Sequence, residues 1–161
     1  MQYIKNKIFN FYLLITLVIF FLDRLIKIYI IKKTGETGTS EIFFSNYLNI
    51  QLVWNEGIAF GLLSFNESFF YNIITFFISI VIIILIYFAF KSKSFEKIAY
   101  VLIIGGALGN LFDRIYYHAV PDFIDLHVNN FHWFIFNIAD IFISVGILCL
   151  IFVEIFFKRE V

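Results

Sequence analysis

Residues 69–90 read FFYNIITFFISIVIIILIYFAF, and no charged side chain interrupts them. A helix of about 20 predominantly apolar residues crosses a hydrocarbon core of about 30 Å, so this stretch is long enough to span a membrane. The composition agrees. Of 161 residues, 61% are hydrophobic, 22% aromatic and 15% charged, which is more apolar surface than one soluble core can hide. Twelve Lys plus Arg balance twelve Asp plus Glu, which removes any bulk electrostatic reason to bind nucleic acid. One Cys excludes an intramolecular disulfide, three His lack helical metal spacing, and 24 Phe with one Pro exclude disorder. No metal and no cofactor are expected.

Working outward from that span, three more apolar runs emerge. The first covers about 8–31, with Asp23, Arg24 and Lys27 confined to its last third. Another, Ile98 to Phe112, is 15 residues long and must continue past Asp113 and Arg114, giving a span of about 96–116. The last covers about 137–157 and carries Asp140 in its first turn. Lys5 and Lys7 imitate the start of a signal peptide, but no small-residue cleavage site follows, so the first helix is expected to be retained. Lys5, Lys7, Lys91, Lys93, Lys97, Lys158 and Arg159 on one side outnumber Lys32, Lys33 and Arg114 on the other. That excess predicts cytoplasmic termini and outer segments at about 32–68 and 117–136.

Within the first outer segment, residues 32–40 (KKTGETGTS) are turn-rich. After them Leu48, Ile50, Leu52 and Trp54 alternate with Asn49, Gln51 and Val53, the pattern of a half-buried strand. Residues 113–136, DRIYYHAVPDFIDLHVNNFHWFIF, carry aromatic and His side chains that suit the headgroup layer. With no linker or repeat, residues 1–161 are expected to form one domain. The fold expected is an all-α polytopic membrane protein of four transmembrane helices with a small extracytoplasmic sheet.

Ionisable and amide groups near hydrocarbon are expensive, which makes them site candidates. Asp23 and Lys27, four apart on one helical face, are accounted for by an ion pair. Gly105 and Gly109 share a face that lets a neighbouring helix approach, and Asn110 and Arg114 share another. Arg114 suits either substrate binding or an ion pair with Asp113 or a lipid phosphate. Asn137 suits the N-cap of the last helix with Asp140 at its third position. Asp122 and Asp125 are equally at home as solvated loop acids. Taken together, however, an acid of PDFID and Asp140 fall at one depth, and two carboxylates close together in a partly desolvated site divide into an acid and a base. That pair can activate water against a peptide bond without Ser, Cys or metal. Spacing alone accepts Asp122 or Asp125 as the partner of Asp140.

NEGIAFG (Asn55 to Gly61), GALGNLFDR (Gly106 to Arg114), PDFID (Pro121 to Asp125) and FNIAD (Phe136 to Asp140), with the earlier Asp23 and Lys27, resemble in order and spacing the bacterial lipoprotein signal peptidases, or signal peptidase II. The resemblance implies an aspartyl endopeptidase of the bacterial inner membrane. Such an enzyme removes the signal peptide of diacylglyceryl-modified prolipoproteins on the N-terminal side of the lipidated Cys. It implies Asp122 and Asp140 as the catalytic dyad. Asn55, Gly57, Asn110, Arg114 and Asn137 then surround the cleft, and Asp23 and Lys27 support the first helix. It also implies a small outer sheet between the first two spans and a short outer-face helix before the fourth. The expected partners are lipidated prolipoproteins and membrane phospholipid, with the enzyme monomeric. Pro121 stands where that family usually has Val, and Ile58 where Ala is common. The alternative expectation is a small proton- or ion-coupled transporter subunit, whose acids would be spread through the membrane depth.

Overall fold

The computed structural model describes residues 2–57 and 68–157, so Ile58 and the rest of NEGIAFG beyond Gly57 lie outside the described residues. Along the chain run α1 (Gln2–Thr37), β1 (Glu41–Phe43), β2 (Leu48–Asn55), α2 (Ser68–Lys91), α3 (Ser94–Tyr117), β3 (Val120–Val128), β4 (Phe131–Phe136) and α4 (Ile138–Phe157). Among the described residues, three helices are long and apolar enough to cross a membrane: Tyr71–Lys91, Phe95–Tyr117 and Ile138–Phe156. The third apolar run does continue through Asp113 and Arg114, as its shortness required.

Helix α3 is the central one. Of its apolar window 56% is buried, against 6% in α2 and 17% in α4. Its glycines set how closely the others approach. A Cβ at Gly105 would fall 2.9 Å from Ile19 Cβ, and one at Gly109 would fall 2.7 Å from Asp23 Oδ2, so α1 crosses along that edge. On another edge Gly106 abuts the Ala139 carbonyl of α4. The outward faces remain apolar: Leu25 and Ile83 are each 66% exposed and Leu148 is 64% exposed. Apolar surface this extensive belongs against lipid.

The strands form one antiparallel sheet in the order β1-β2-β3-β4. The strand expected at 48–54 is β2, but its burial is not the simple alternation expected. Asn49 is 6% exposed while Trp54 is 42% exposed. The reason is chemical, because the Asn49 amide donates to the buried Asp125 carboxylate across the sheet at 3.0 Å. A bulge between Ile50 and Val53 shifts the register so that Asn49 pairs with Asp125 and Val53 with Asp122.

Two expectations are corrected. Helix α1 extends beyond 8–31 to Thr37, absorbing most of the turn-rich 32–40, because Thr34 and Thr37 hydroxyls bond back to the carbonyls of Ile30 and Lys33. It stops at Gly38, whose φ of 69° suits glycine. The outer-face helix expected before the fourth span is not there. After α3 the chain turns at His118 (φ 56°) and runs as the hairpin β3-β4. Asn129, at φ 52°, turns that hairpin between two runs rich in β-branched and aromatic residues. Pro121 is tolerated because β4 pairs with β3 only from Ile124 onward, leaving one side of β3 without a ladder there.

Candidate active site

Where α1 crosses α3, Asp23, Lys27 and Asp113 have no exposed surface and Arg24 has 6%. Burying charge is costly unless it is fully paired. Lys27 answers much of that demand: Nζ donates to Asp113 Oδ2 at 2.7 Å and to Asn110 Oδ1 at 2.9 Å, and lies 2.8 Å from Asp23 Oδ2 as an ion pair. Arg24 completes the balance, its NH1 2.5 Å from Asp113 Oδ1 and its guanidinium 5.0 Å from the Phe112 ring centre. The i,i+4 pair expected of Asp23 and Lys27 therefore exists inside a larger cluster. Asp23 also reaches α4, accepting the Ala139 amide at 3.0 Å and satisfying a donor that the helix start leaves open.

From Asn110 a chain of hydrogen bonds leads outward. The Asn110 amide, its oxygen fixed by Lys27, donates to Asp140 Oδ1 at 2.7 Å. Asp140 and Asn137 form a reciprocal cap on α4. The Asn137 N–H donates to Asp140 Oδ2 and the Asp140 N–H donates to Asn137 Oδ1, both at 3.1 Å. The remaining Asn137 amide group donates to Asp122 Oδ1 at 2.6 Å, and Asn55 donates to Asp122 Oδ2 at 2.9 Å. Asn55 Oδ1 accepts the Gly57 N–H at 3.0 Å. The Gly57 carbonyl accepts Arg114 NH2 at 3.2 Å, and Arg114 NH1 donates to the Asn110 carbonyl at 3.3 Å. The ring closes at Asn110, so Asn55, Gly57, Asn110, Arg114, Asp122, Asn137 and Asp140 belong to one hydrogen-bonded network.

The two carboxylates on Asn137 differ in setting. Asp122 is 4% exposed in β3, and burial together with the nearby charge of Asp140 pushes its pKa up to about 6, against the opposing hydrogen bonds from Asn55 and Asn137. Asp140 is half-buried and faces a cavity of about 620 Å³, whose lining includes Phe134, Phe136, Ile141, Val145 and Leu148. Asp125 is elsewhere, enclosed by Asn49, Gln51 and His132 and absent from the ring. Of the readings offered for Arg114, the pair with Asp113 is not formed; carbonyls of Gly57 and Asn110 hold it instead. Sequence reasoning missed the roles of Arg24 and Asp113. Their signal was charge inside an apolar run, but their partners are on different helices.

A helical bundle with apolar outward faces and two aspartates held by one asparagine fits an aspartic-type membrane peptidase, and comparison with known proteins gives that class. The family model described as Signal peptidase (SPase) II matches residues 15–157. The chain is 49% identical over 158 residues to the lipoprotein signal peptidase of Pelagibacter ubique, covering 97% of this chain and 95% of that one. It is 37% identical to that of Anaplasma marginale, covering 88% and 82%. A solved bacterial membrane enzyme, determined by the in meso method at 2.3 Å resolution, superposes with a TM-score of 0.75 at 35% identity, over 94% of this chain and 93% of that one. The chain belongs to the signal peptidase II family. Nothing in these relatives supports an ion-coupled transporter subunit.

Proposed function

We propose that Asp122 and Asp140 are the acid and base with which this family member cuts the signal peptide from diacylglyceryl-modified prolipoproteins, on the N-terminal side of the lipidated Cys. The observation that carries the assignment is Asn137, which holds both carboxylates, Asp122 through its amide nitrogen and Asp140 through the reciprocal cap. With one of the pair ionised and the other protonated, the ionised member takes a proton from water as the water attacks the peptide carbonyl. The protonated member supports the developing oxyanion and then protonates the leaving amine. Asn55 and Asn110 donate to the outer oxygens and hold the two side chains in register. Arg114 and Gly57 tie the strand end to α3, which positions the rim of the site.

The cavity beside Asp140 supports an apolar substrate, since its walls combine β4 aromatics with aliphatic residues of α4. We infer a multi-pass inner-membrane enzyme with four crossings, α1 being the fourth, because Leu14 and Leu25 on its outward face are 58% and 66% exposed. The excess of Lys and Arg supports cytoplasmic termini, and the closed ring within one chain supports a monomer surrounded by phospholipid.

The test is cleavage of a lipidated prolipoprotein in detergent by Asp122→Asn and Asp140→Asn. Each is expected to lose all measurable cleavage while eluting and melting as a folded protein. Cleavage by either variant at a rate near that of the unsubstituted enzyme refutes the assignment.

A further inference from the structure

Apart from the ring, the hairpin gathers a second set of reactive side chains. His127 of β3 and His132 of β4 are direct cross-strand partners whose rings stack 4.8 Å apart at 17°. Asp125, two residues before His127, is fully buried, and both of its oxygens lie close to His132 Nδ1, at 3.1 and 2.9 Å. One ligand atom from each of the three lies within 4.8 Å of the others. We propose that Asp125, His127 and His132 bind a first-row divalent transition ion such as zinc, clamping β3 to β4 at the cavity wall.

Three features support the site. Two imidazoles and one carboxylate form a donor set suited to zinc, with a fourth position left for water. His127 Nδ1 is buried without a hydrogen-bond partner, an unmet polar atom that a ligand would satisfy. The carboxylate is already oriented, as Asn49 and Gln51 donate to Asp125 Oδ2 at 3.0 and 3.4 Å in the manner of outer partners around a metal.

Ligands at about 2.0–2.2 Å from a tetrahedral ion stand about 3.3–3.6 Å from one another, so binding requires modest rearrangement. His132 can supply it, since its side chain is 52% exposed. The ion takes the place between His132 Nδ1 and Asp125 that their direct hydrogen bond now fills, opening the 2.9 Å contact slightly. His127 lines the same cavity as Asp140, so an occupied site would stiffen one wall of the space beside the active centre. The inference stands independently of the roles assigned to Asp122 and Asp140.

The experiment titrates zinc into the full chain in detergent, purified on a tag without histidine, in competition with a chromophoric chelator. One zinc per chain is expected, with a rise in melting temperature. His127→Gln and His132→Gln, both lacking one ligand, are expected to bind at least about tenfold more weakly and to lose that rise. The melting temperature of each variant in chelator, equal to that of the metal-free parent, shows that the fold is intact. Absence of stoichiometric binding at micromolar zinc by the parent, or binding by either variant as tight as the parent's, overturns the proposal.

Discussion

Lys27→Met tests whether the buried charge cluster holds the helices together and sets the orientation of Asn110. The substitution keeps most of the apolar stem but removes an ammonium that is fully buried, donates to Asp113 and Asn110, and forms an ion pair with Asp23. Two cations then no longer balance two anions, and Arg24 alone faces Asp23 and Asp113, at 3.6 and 2.5 Å. Removing one partner of a buried ion pair costs about 3–5 kcal/mol, because the remaining charge stays desolvated. For a chain of this size that corresponds to a fall in melting temperature of roughly 6–20 °C, read by intrinsic fluorescence in detergent. Cleavage should fall as well, since the Asn110 amide that donates to Asp140 loses the partner fixing its oxygen. Adding Asp113→Asn restores neutrality, so the double variant should be less destabilised than the two single effects predict, by about 0.5–3 kcal/mol. A melting temperature unchanged in Lys27→Met, or strictly additive effects, refutes this account.

The raised pKa of Asp122 gives a pH prediction with a definite sign. Burial favours its protonated form, so the associated stability is fully present below the ordinary carboxylate value of 3.8 and is lost as pH rises through about 6. Asp122→Asn should therefore gain on the parent between pH 4 and pH 8, by up to about 3 kcal/mol for a shift of about two units, as measured by chemical unfolding. No change in the difference between the two proteins across that range would contradict the burial argument. Asn137→Ser separates the two functions of Asn137. The hydroxyl still accepts from the helix start, so stability should fall by less than about 1 kcal/mol, while the lost donor to Asp122 should reduce cleavage markedly. A variant that cleaves normally would show that the link between the carboxylates is dispensable.

Local periodicity made part of this structure legible. The i,i+4 spacing of Asp23 and Lys27 and of Gly105 and Gly109 placed both pairs correctly, and the structure shows them meeting: Gly109 leaves room for the Asp23 carboxylate. What periodicity could not supply was closure between distant segments. Lys27 and Asn110 are 83 positions apart, and Asn55 and Asp122 are 67 apart, so no window contains either contact. The β3-β4 hairpin was concealed for a different reason. Its aromatics suit the headgroup layer in any backbone conformation, so they carry no sign of the turn at Asn129. Helical spacing is blind to His127 and His132 for a related reason, because 3.6-residue periodicity cannot reveal a pair facing each other across two strands.

The sequence offered Asn137 and Asp140 either as a helix cap or as part of a site, and the hydrogen bonds leave room for both. The cap uses the Asn137 N–H, Asn137 Oδ1, the Asp140 N–H and Asp140 Oδ2. It leaves the Asn137 amide nitrogen for Asp122 and Asp140 Oδ1 for Asn110. A capped helix start is among the most rigid places to mount a carboxylate, since the backbone that fixes its side chain is fixed by that side chain in return. Ala139 adds to this rigidity through Asp23, so the first turn of α4 is anchored to α1 at the same depth. The buried cluster and the carboxylate pair are thus two ends of one device. Lys27 holds Asn110, Asn110 holds Asp140, and the cap carries that order to Asn137 and Asp122. Charge that would be a liability inside a membrane becomes the means by which a small bundle keeps two aspartates in a fixed relation.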